Sequence, residues 1–270
     1  MLIVERQQRV LDLLRDRKTA LLEDLARQMG VSASTIRRDL DSLEQKGLVE
    51  RTHGGAVYRG DRGASSAALV TQTPPGQPSI VLAERMTEHV SAKQAIGAAA
   101  AAQIQPHMTV LLDGGSTVIY AARQITARPL QVVTNSLSIA NLFADDDQVE
   151  LLLIGGNLYP RTGVMVGSIA TGCLADLYAD LTLFSLAGIY DDAAFNIHLP
   201  MAQVEQLMIR QATRSLLLMD SSKFGRKSLV RVCGLGEVDQ IITDEGVADE
   251  WRNRLGERLL VAAGEQGQMD

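Results

Sequence analysis

Aliphatic runs the length of a strand alternate with helix-forming segments from residue 109 to residue 262, and this alternation restricts the fold more than any other feature. Three of the runs are mostly aliphatic, which is typical of strands buried on both faces of a sheet: Thr109–Asp113, Leu130–Thr134 and Val149–Ile154. Strands that alternate with helices form a mostly parallel sheet. We therefore predict an α/β fold with a Rossmann-like sheet.

The rest of this region continues the same pattern. Further strands are predicted at Leu181–Ala187, Ser215–Met219, Gln240–Thr243 and Leu259–Ala262. Helices are predicted at Ala83–Gln103, Gly167–Leu177 and Met201–Thr213, and after the first two strands as far as Ile125 and Phe143. Apolar residues make up 46% of the chain and aromatic residues only 4%, so the core must be built from Leu, Ile, Val and Ala.

Small and polar residues follow several of these strands, and ligands of open α/β sheets bind where the carboxyl ends of the strands meet. Gly114 and Gly115 allow backbone N–H groups to approach an anion, and Ser116 and Thr117 add hydroxyls at a helix N-terminus. Taken alone, this segment is better explained as an ordinary strand-to-helix turn. Several such ends on one sheet edge favour a phosphate site, to which Lys223 adds a cation unless it is a surface lysine.

Three short helices are predicted before residue 48. The first covers Val4–Asp16, the second covers Leu22–Met29 and ends at Gly30, and the third begins after Ser32 and ends at Gly47. Two short helices joined by a tight turn that contains glycine are typical of a helix-turn-helix. The apolar positions of the third helix have helical spacing and are expected to pack on the other two: Ile36, Leu40 and Leu43.

The outer face of the third helix carries Ser34, Thr35, Arg37 and Arg38 near its N-terminus, the end at which a recognition helix contacts bases. The guanidinium group of arginine pairs bidentately with guanine. Adjacent residues point about 100° apart on a helix, so the two arginines must have different roles. The alternative is an amphipathic helix on which the arginines pair with Asp41, and this helix alone does not decide between the two.

A hairpin is predicted directly after this helix, with strands at 48–52 and 56–58 and a turn at 53–55. Such a hairpin forms the wing of a winged helix-turn-helix. It places a cation and backbone N–H groups where a phosphate of DNA can bind, although His53 alone would be an ordinary surface residue. The predicted DNA-binding residues are Ser32, Ser34, Thr35, Arg37, Arg38, Arg51, His53, Gly54 and Gly55.

Composition divides the chain into predicted domains at 1–58 and 81–265, joined by a linker at 59–80 that is rich in Gly, Ala, Ser and Pro. The net charge is +2 for residues 1–62 and −8 for the remainder. This asymmetry fits DNA binding by the smaller part only, although chance also accounts for it.

Two cysteines, Cys173 and Cys233, have no metal-ligand spacing and are predicted to be free buried thiols. No signal peptide precedes the first charged residues, and no apolar run is long enough to span a membrane. The sequence therefore predicts a cytoplasmic protein with no membrane partner, no metal and no cofactor.

The chain resembles the DeoR family of bacterial sugar-metabolism regulators in both halves. Its N-terminal part contains STIRRDLDSLEQKGLVERTHGGA, in which TIRRDL and HGGA are the most specific segments. Its C-terminal part contains DGGST, VVTNSLSIAN, GGNLYPRTGVMVG and DSSKFGRKSL, which resemble the sensor domain of the family. That domain is similar in fold to sugar-phosphate isomerases and related transferases.

The resemblance implies a regulator, expected to repress a carbohydrate-metabolism operon until a phosphorylated sugar or related metabolite binds. It implies a winged helix-turn-helix that binds operator double-stranded DNA as a homodimer or homotetramer. The effector pocket implied by the resemblance is formed by Asp113, Gly114, Gly115, Ser116, Thr117, Asn135, Ser136, Gly155, Gly156, Asp220 and Lys223.

The chain departs from the family pattern at two places. Leu21 stands where many members have a Ser or Thr that caps the second helix, so either Thr19 caps it or the cap is lost at about 1 kcal/mol. Met201 stands where an acid is usual and Glu205 where a lysine is usual. A lost lysine and an added carboxylate would weaken an anion site, so an unusual or weakly bound effector is expected.

The competing hypothesis is an isomerase or transferase that carries a fused DNA-binding module. Asp113, Asp220 and Lys223 are the candidates for acid and base groups in such an enzyme. No second catalytic constellation is evident in the sequence, so a regulator and not an enzyme is predicted.

Overall fold

The computed structural model of the 270-residue chain describes residues 3–17, 19–45, 49–52, 55–58 and 81–263. The chain forms two compact units, Met1–Gln72 and Thr73–Asp270. The predicted linker at 59–80 lies outside the described residues, and so do His53 and Gly54 of the predicted wing.

The described part of the N-terminal unit consists of α1 (Ile3–Arg17), β1 (Thr19–Leu21), α2 (Leu22–Met29), α3 (Ala33–Gln45), β2 (Val49–Thr52) and β3 (Gly55–Tyr58). Strand β3 lies between β1 and β2 and pairs with both in antiparallel register. The three helices pack around a small aliphatic core that includes Val10, Leu14, Leu25, Ile36, Leu40 and Leu43. All three helices and both strands of the wing were predicted, so the winged helix-turn-helix is confirmed.

Strand β1 was not predicted, and it resolves the question of the missing cap on α2. Thr19 pairs with Val57 in the sheet, and the N-cap residue Leu21 makes no side-chain hydrogen bond, so neither residue caps the helix. At the other end, Gly30 adopts the left-handed conformation with φ of 64° and closes α2 as predicted.

The C-terminal unit contains seven α-helices among its described residues: α4 (Leu82–Thr87), α5 (Val90–Ala101), α6 (Ser116–Ala122), α7 (Leu137–Phe143), α8 (Ser168–Ala175), α9 (Leu199–Arg210) and α10 (Asp249–Leu255). Its strands are β4 (Thr109–Leu112), β5 (Leu130–Thr134), β6 (Val149–Leu153), β7 (Asn157–Tyr159), β8 (Val164–Val166), β9 (Ala179–Phe184), β10 (Gly188–Tyr190), β11 (Ala193–Asn196), β12 (Ala212–Leu218), β13 (Val230–Gly234), β14 (Gln240–Asp244) and β15 (Leu259–Ala262).

The main sheet has seven parallel strands in the order β15-β14-β12-β9-β4-β5-β6, which confirms the predicted α/β fold. Its central strands are aliphatic and almost completely buried, as expected for a sheet covered on both faces. The chain builds the sheet outward from β4 in one direction and from β9 in the other. The crevice between the carboxyl ends of β4 and β9 is therefore the topological switch point, where ligands of such sheets bind.

The structure corrects the prediction of one long helix at 83–103. Two helices, α4 and α5, are separated at Glu88 and His89, and His89 is left-handed with φ of 49°. At this break, the Lys93 ammonium group donates to the carbonyl oxygens of Arg85 and Glu88. A continuous helix would use those carbonyl groups for its own backbone hydrogen bonds, so the buried lysine and the break occur together.

Two smaller sheets were also not predicted. They are the β7–β8 hairpin and the antiparallel sheet β10-β11-β13. Cys233 is buried as expected, and burial raises the pKa of its thiol, but Cys173 is exposed on α8. Within the described ranges, no helix is long and apolar enough to cross a membrane.

Candidate DNA-binding surface and effector pocket

The N-terminal end of α3 presents hydroxyls and guanidinium groups on its exposed side. Ser32 caps the helix, because its Oγ accepts a hydrogen bond from the backbone N–H of Thr35 at 3.2 Å. The hydroxyls of Ser34 and Thr35 each lie 2.8 Å from the same Oγ. Arg37 and Arg38 are both exposed next to this cluster, since Ile36 and Leu40 fix the buried face. The five predicted residues of α3 are thus brought together on one surface.

The two arginines differ from their neighbour Asp39 in what they contact. Within the described part of the chain, neither Arg37 nor Arg38 forms an ion pair, which contradicts the alternative of a salt-bridged helix face. The Asp39 carboxylate instead points inward and pairs bidentately with Arg6 of α1, at 2.6 Å and 3.2 Å. This pair fastens α3 to α1. The spacing of three residues from Ile36 was the signal in the sequence for a buried Asp39.

Only part of the predicted wing lies in the described residues. Arg51 pairs with Ala56 through the backbone, so its position in the hairpin is fixed. Gly55 pairs with Thr52 and with Leu21 of β1. A Cβ atom added at Gly55 would lie 2.1 Å from the carbonyl oxygen of Ala20. Gly55 is therefore required for the close approach of β1 to β3, whatever it contributes to DNA binding.

A pocket lies at the switch point between β4 and β9, with about 650 Å³ of empty space that is partly open to solvent. We call it the switch-point pocket. Six of the eleven predicted effector residues line it: Asp113, Gly114, Gly115, Ser116, Thr117 and Lys223. Nine lining residues were missed: Arg85, Lys93, Thr162, Ser185, Leu186, Ala187, Asn196, Ile197 and Met201.

The loop after β4 needs its glycines for packing. A Cβ atom on Gly114 would lie 2.1 Å from a methyl carbon of Val164, and one on Gly115 would lie 2.6 Å from Cβ of Ser185. The backbone N–H of Gly115 donates to the Asp113 carboxylate at 3.2 Å. That N–H is therefore already used within the loop, which was not anticipated when it was predicted to bind an anion.

Three cations line the pocket: Arg85, Lys93 and Lys223. Burial lowers the pKa of each of them, and it lowers the pKa of Lys93 to about 8. The buried Nε of Arg85 has no hydrogen-bond partner among the described residues. The Asp220 carboxylate lies near both lysines and partly offsets the effect of burial on their pKa values. The pocket thus concentrates positive charge that is poorly solvated, an arrangement that favours binding of an anion.

Two buried carboxyl groups lie close to these cations. Asp113 and Glu205 are almost completely buried, and burial raises the pKa of both; the proximity of Asp113 raises that of Glu205 further. Glu205 accepts a hydrogen bond from the side-chain amide of Asn196, whose oxygen accepts from the backbone N–H of Ile197 at 2.6 Å. Glu205 therefore does not line the pocket but orients Asn196, which does, whereas Met201 lines the pocket directly.

Five predicted effector residues do not line the switch-point pocket: Asn135, Ser136, Gly155, Gly156 and Asp220. Ser136 caps α7 at 3.4 Å, and the amide of Asn135 donates to the carbonyl oxygen of Met165 at 3.2 Å. The side chain of Asp220 accepts from the backbone N–H of Ser222 at 3.2 Å. A Cβ atom on Gly156 would lie 2.9 Å from the carbonyl oxygen of Val166, so this glycine serves local packing.

The missed cations belong to segments far from the polar strand ends that guided the prediction. Arg85 and Lys93 lie on α4 and α5, before the first strand of the sheet. A lysine among the small apolar residues of α5 was the available signal, because such a position is expected to be buried.

Comparisons with known proteins agree with this geometry. Residues 6–61 match the family model described as a DeoR-like helix-turn-helix domain, and residues 88–245 match that of the DeoR C-terminal sensor domain. The L-fucose operon activator of Escherichia coli is 35% identical over 89% of this chain and 94% of its own length. The transcriptional repressor GlcR of Bacillus subtilis is 30% identical over 97% of this chain and 98% of its own length.

Solved structures give weaker likenesses. Ribose 5-phosphate isomerase A from Methanocaldococcus jannaschii is 15% identical, with 52% of this chain and 54% of that chain covered and a TM-score of 0.35. The delta subunit of eIF2B from Chaetomium thermophilum is 12% identical, with 57% and 56% covered and a TM-score of 0.42. The two family models and the relatives that match almost end to end identify the protein. The chain belongs to the DeoR family and is a DNA-binding transcriptional regulator.

Proposed function

We propose that this protein represses a carbohydrate-metabolism operon and that a phosphorylated sugar or a related metabolite relieves the repression by binding in the switch-point pocket. The observation that carries the proposal is the convergence of Arg85, Lys93 and Lys223 on one pocket. Burial disfavours the charged form of each group, and a phosphate with about −1.5 to −2 charges at neutral pH offsets that cost. Charge-assisted hydrogen bonds to phosphate oxygens are roughly twice as strong as neutral ones.

Polar groups of the pocket suit the sugar part of such a ligand. The side-chain amide of Asn196 lines the pocket, oriented by Glu205, and the carboxylate of Asp113 can accept hydrogen bonds from sugar hydroxyls. The buried hydroxyl of Thr162 also lines the pocket and has no partner among the described residues. Leu186, Ile197 and Met201 add apolar surface for the carbon chain. Gly155 and Gly156 were predicted to bind the effector, but neither residue lines the pocket, so this prediction gains no support.

On the DNA side, we infer that α3 enters the major groove with Ser34, Thr35, Arg37 and Arg38. Neither guanidinium group forms an ion pair with another described residue, which supports this role. Arg51, His53 and Gly54 of the wing are proposed to contact the phosphate backbone. A homodimer or homotetramer would place two such helices on the half-sites of an operator. The relatives include the L-fucose operon activator and the transcriptional repressor GlcR, and the proposal of repression is tested by the direction of the response to effector.

The effector proposal is tested by thermal-shift measurements on the full chain with a panel of sugar phosphates and the matching unphosphorylated sugars. A ligand present at 100 times its Kd stabilises the folded protein by about 2.7 kcal/mol, so a specific effector is readily detected. Only phosphorylated compounds are expected to raise the melting temperature.

The matched control compares two lysines near each other in sequence. Lys223→Met is expected to remove the shift because Lys223 lines the pocket, whereas Lys227→Met is expected to retain it because Lys227 is exposed and outside the lining. Absence of a shift with every phosphorylated compound, or an equal loss in both variants, would contradict the proposed effector class.

A further inference from the structure

Helix α4 is the first described element after the segment that joins the two units, and it lies against the switch-point pocket. None of its six residues is fully buried. Leu82 and Met86 pack only partly against the core of the C-terminal unit. By contrast, α5 buries five residues, including Lys93 and Ile96. The helix next to the joining segment is therefore less firmly packed than the helix that follows it.

Polar contacts compensate for this shallow packing. The backbone N–H of Leu82 donates to the carbonyl oxygen of Arg161 at 2.9 Å. The hydroxyl of Tyr120, on α6, donates to the carbonyl oxygen of Met86 at 2.8 Å. The ammonium group of Lys93 donates to the carbonyl oxygens of Arg85 and Glu88. These contacts attach α4 at its beginning, middle and end.

Each residue that holds α4 either lines the switch-point pocket itself or is close in sequence to a residue that does. Lys93 lines the pocket itself, and Arg161 is followed by Thr162, which also lines it. Tyr120 lies on the helix that begins with the lining residues Ser116 and Thr117. Arg85 extends from α4 into the lining. An ammonium group has three N–H donors, so after two bonds to α4 Lys93 keeps one for a ligand.

The joint between α4 and α5 is confined to two residues. Glu88 is extended, and His89 is left-handed with φ of 49°, a conformation that is uncommon for residues other than glycine. No helical hydrogen-bond ladder runs through this joint, so α4 can change its angle without unwinding α5. Few loop residues are enough to absorb a hinge motion of this kind.

We propose that α4 transmits effector binding to the DNA-binding unit. This inference rests on the proposed function of the switch-point pocket. An anion bound there attracts the guanidinium group of Arg85 and the ammonium group of Lys93, and both groups are tied to α4. A phosphate that accepts from the third N–H of Lys93 draws the ammonium group toward itself and pulls on the carbonyl oxygens of Arg85 and Glu88, to which that group donates, so that the helix shifts. The shift passes along the covalent chain toward residue 80 and changes the population of the DNA-binding arrangement.

The first test is hydrogen exchange of the full chain, followed by mass spectrometry, with inorganic phosphate as the probe and chloride at equal ionic strength as the reference. Phosphate is expected to slow exchange at 113–117, which line the pocket, and to change exchange at 81–89. Exchange in α10, which lies outside the pocket lining, is the internal control. Protection at 113–117 without any change at 81–89 would overturn the role of α4 alone. No change at either segment would remove both this inference and the proposed pocket.

The second test uses Tyr120→Phe, which removes one attachment of α4 without touching the pocket lining. Tyr178→Phe is the matched control, because the Tyr178 ring is 71% exposed and its hydroxyl bonds Thr213 instead. The DNA is a promoter fragment that the full chain binds. In the wild type and in Tyr178→Phe, phosphate at constant ionic strength is expected to weaken binding of this fragment by roughly 5- to 150-fold.

In Tyr120→Phe we expect phosphate to slow hydrogen exchange at 113–117 as much as in the wild type. We also expect phosphate to weaken DNA binding clearly less than in the wild type. Tyr120 thus acts as a positioning residue, and a merely structural role would lower protection and coupling together. Two results would refute transmission by α4. One is that phosphate weakens DNA binding by Tyr120→Phe as much as it weakens DNA binding by the wild type. The other is that Tyr120→Phe loses the protection by phosphate at 113–117 as well as the effect of phosphate on DNA affinity.

Discussion

The two units of this protein handle positive charge in opposite ways. In the N-terminal unit, Arg37 and Arg38 lie exposed on α3 and remain free of ion pairs within the described residues. In the C-terminal unit, Arg85, Lys93 and Lys223 lie in a pocket where burial lowers their pKa values. An exposed cation suits DNA, which releases its condensed counterions when a protein cation neutralises its phosphates, whereas a poorly hydrated cation favours a small anion that replaces the lost water.

The type of a residue alone does not identify its ligand. Both units contain arginine, yet the surface around Arg37 suits a phosphate backbone and the pocket around Arg85 suits a single phosphate. The depth of the site decides between them. The experiments that follow separate the two units by changing one while the other serves as the reference.

The largest expected effect is in the N-terminal unit. In Gly55→Ala, the new Cβ atom would lie 2.1 Å from the carbonyl oxygen of Ala20, so β1 must separate from β3. We expect the N-terminal unit to lose about 3 kcal/mol of stability and DNA binding to fall with it. Calorimetry and gel shift measure the two losses, while phosphate binding by the C-terminal unit is expected to persist.

Gly172→Ala is the control for this experiment. Gly172 lies within α8, and no heavy atom stands within 4 Å of the position that its Cβ would take. Alanine there is expected to stabilise the C-terminal unit by about 0.5–1 kcal/mol because of its helix propensity. If Gly55→Ala bound DNA as strongly as the wild type, the close approach of β1 to β3 at Gly55 would not be needed for DNA binding.

The next effect separates the two arginines of α3. Loss of a base contact costs about 1–3 kcal/mol at one operator position, whereas loss of a phosphate contact weakens all sequences and lowers the salt slope by about 1. Because Arg37 and Arg38 point about 100° apart, we expect Arg37→Ala and Arg38→Ala to differ in this respect. Binding to operator variants at several salt concentrations measures both properties. Identical behaviour of the two variants, or unchanged binding in both, would contradict the proposed docking of α3.

A smaller effect concerns pH in the C-terminal unit. The pKa of Lys93 is lowered to about 8 from its ordinary 10.5, so the unfolded chain binds more protons between these values. Stability of the free protein therefore rises with pH across this window. A phosphate ligand needs the charged ammonium group, and its affinity is expected to fall above pH 8 by up to about tenfold per pH unit.

Calorimetric titration with phosphate from pH 7 to pH 10 measures this dependence. Lys93→Met is expected to bind phosphate more weakly than the wild type at pH 7. Its phosphate affinity is also expected to fall less steeply above pH 8. DNA binding through α3 serves as the reference, because arginine keeps its proton throughout this range. A ligand affinity independent of pH between 8 and 10 would mean that Lys93 does not contact the anion.

The smallest effect is the missing cap of α2. Leu21 is 61% exposed and makes no capping bond. Leu21→Ser is expected to stabilise the N-terminal unit by about 0.5–1 kcal/mol, since serine is a favourable N-cap residue. Denaturant unfolding of that unit gives the value. A loss of stability would indicate that the Leu21 side chain contributes more through its contacts than a cap restores.

Much of the fold was predictable because it depends on local patterns. The helices of the N-terminal unit and the strands from β4 to β6 follow directly from apolar spacing, from Gly30 and from runs of aliphatic residues. The loop after β4 was also predictable as part of the site, because parallel strands bring their carboxyl ends to one edge.

The remainder depends on contacts between distant segments. Arg85 and Lys93 line the pocket from two helices, α4 and α5, that are separated by a break at Glu88 and His89. Gly155 and Gly156 follow a strand of the same sheet, yet β6 is at its edge, two strands away from the switch point. The inward turn of Asp39 depends in the same way on its contact with Arg6 of α1.

The three cations of the switch-point pocket also bear on how long the protein survives. Without an anion, the folded C-terminal unit retains the cost of three poorly hydrated charges, and binding of an anion lowers that cost. Ligand that binds only the folded state decreases the unfolded fraction available to proteases. We expect proteolysis of the purified chain to slow when the effector is present. The metabolite that signals through this protein would then also set its lifetime, so that a cell starved of that metabolite holds less of the regulator.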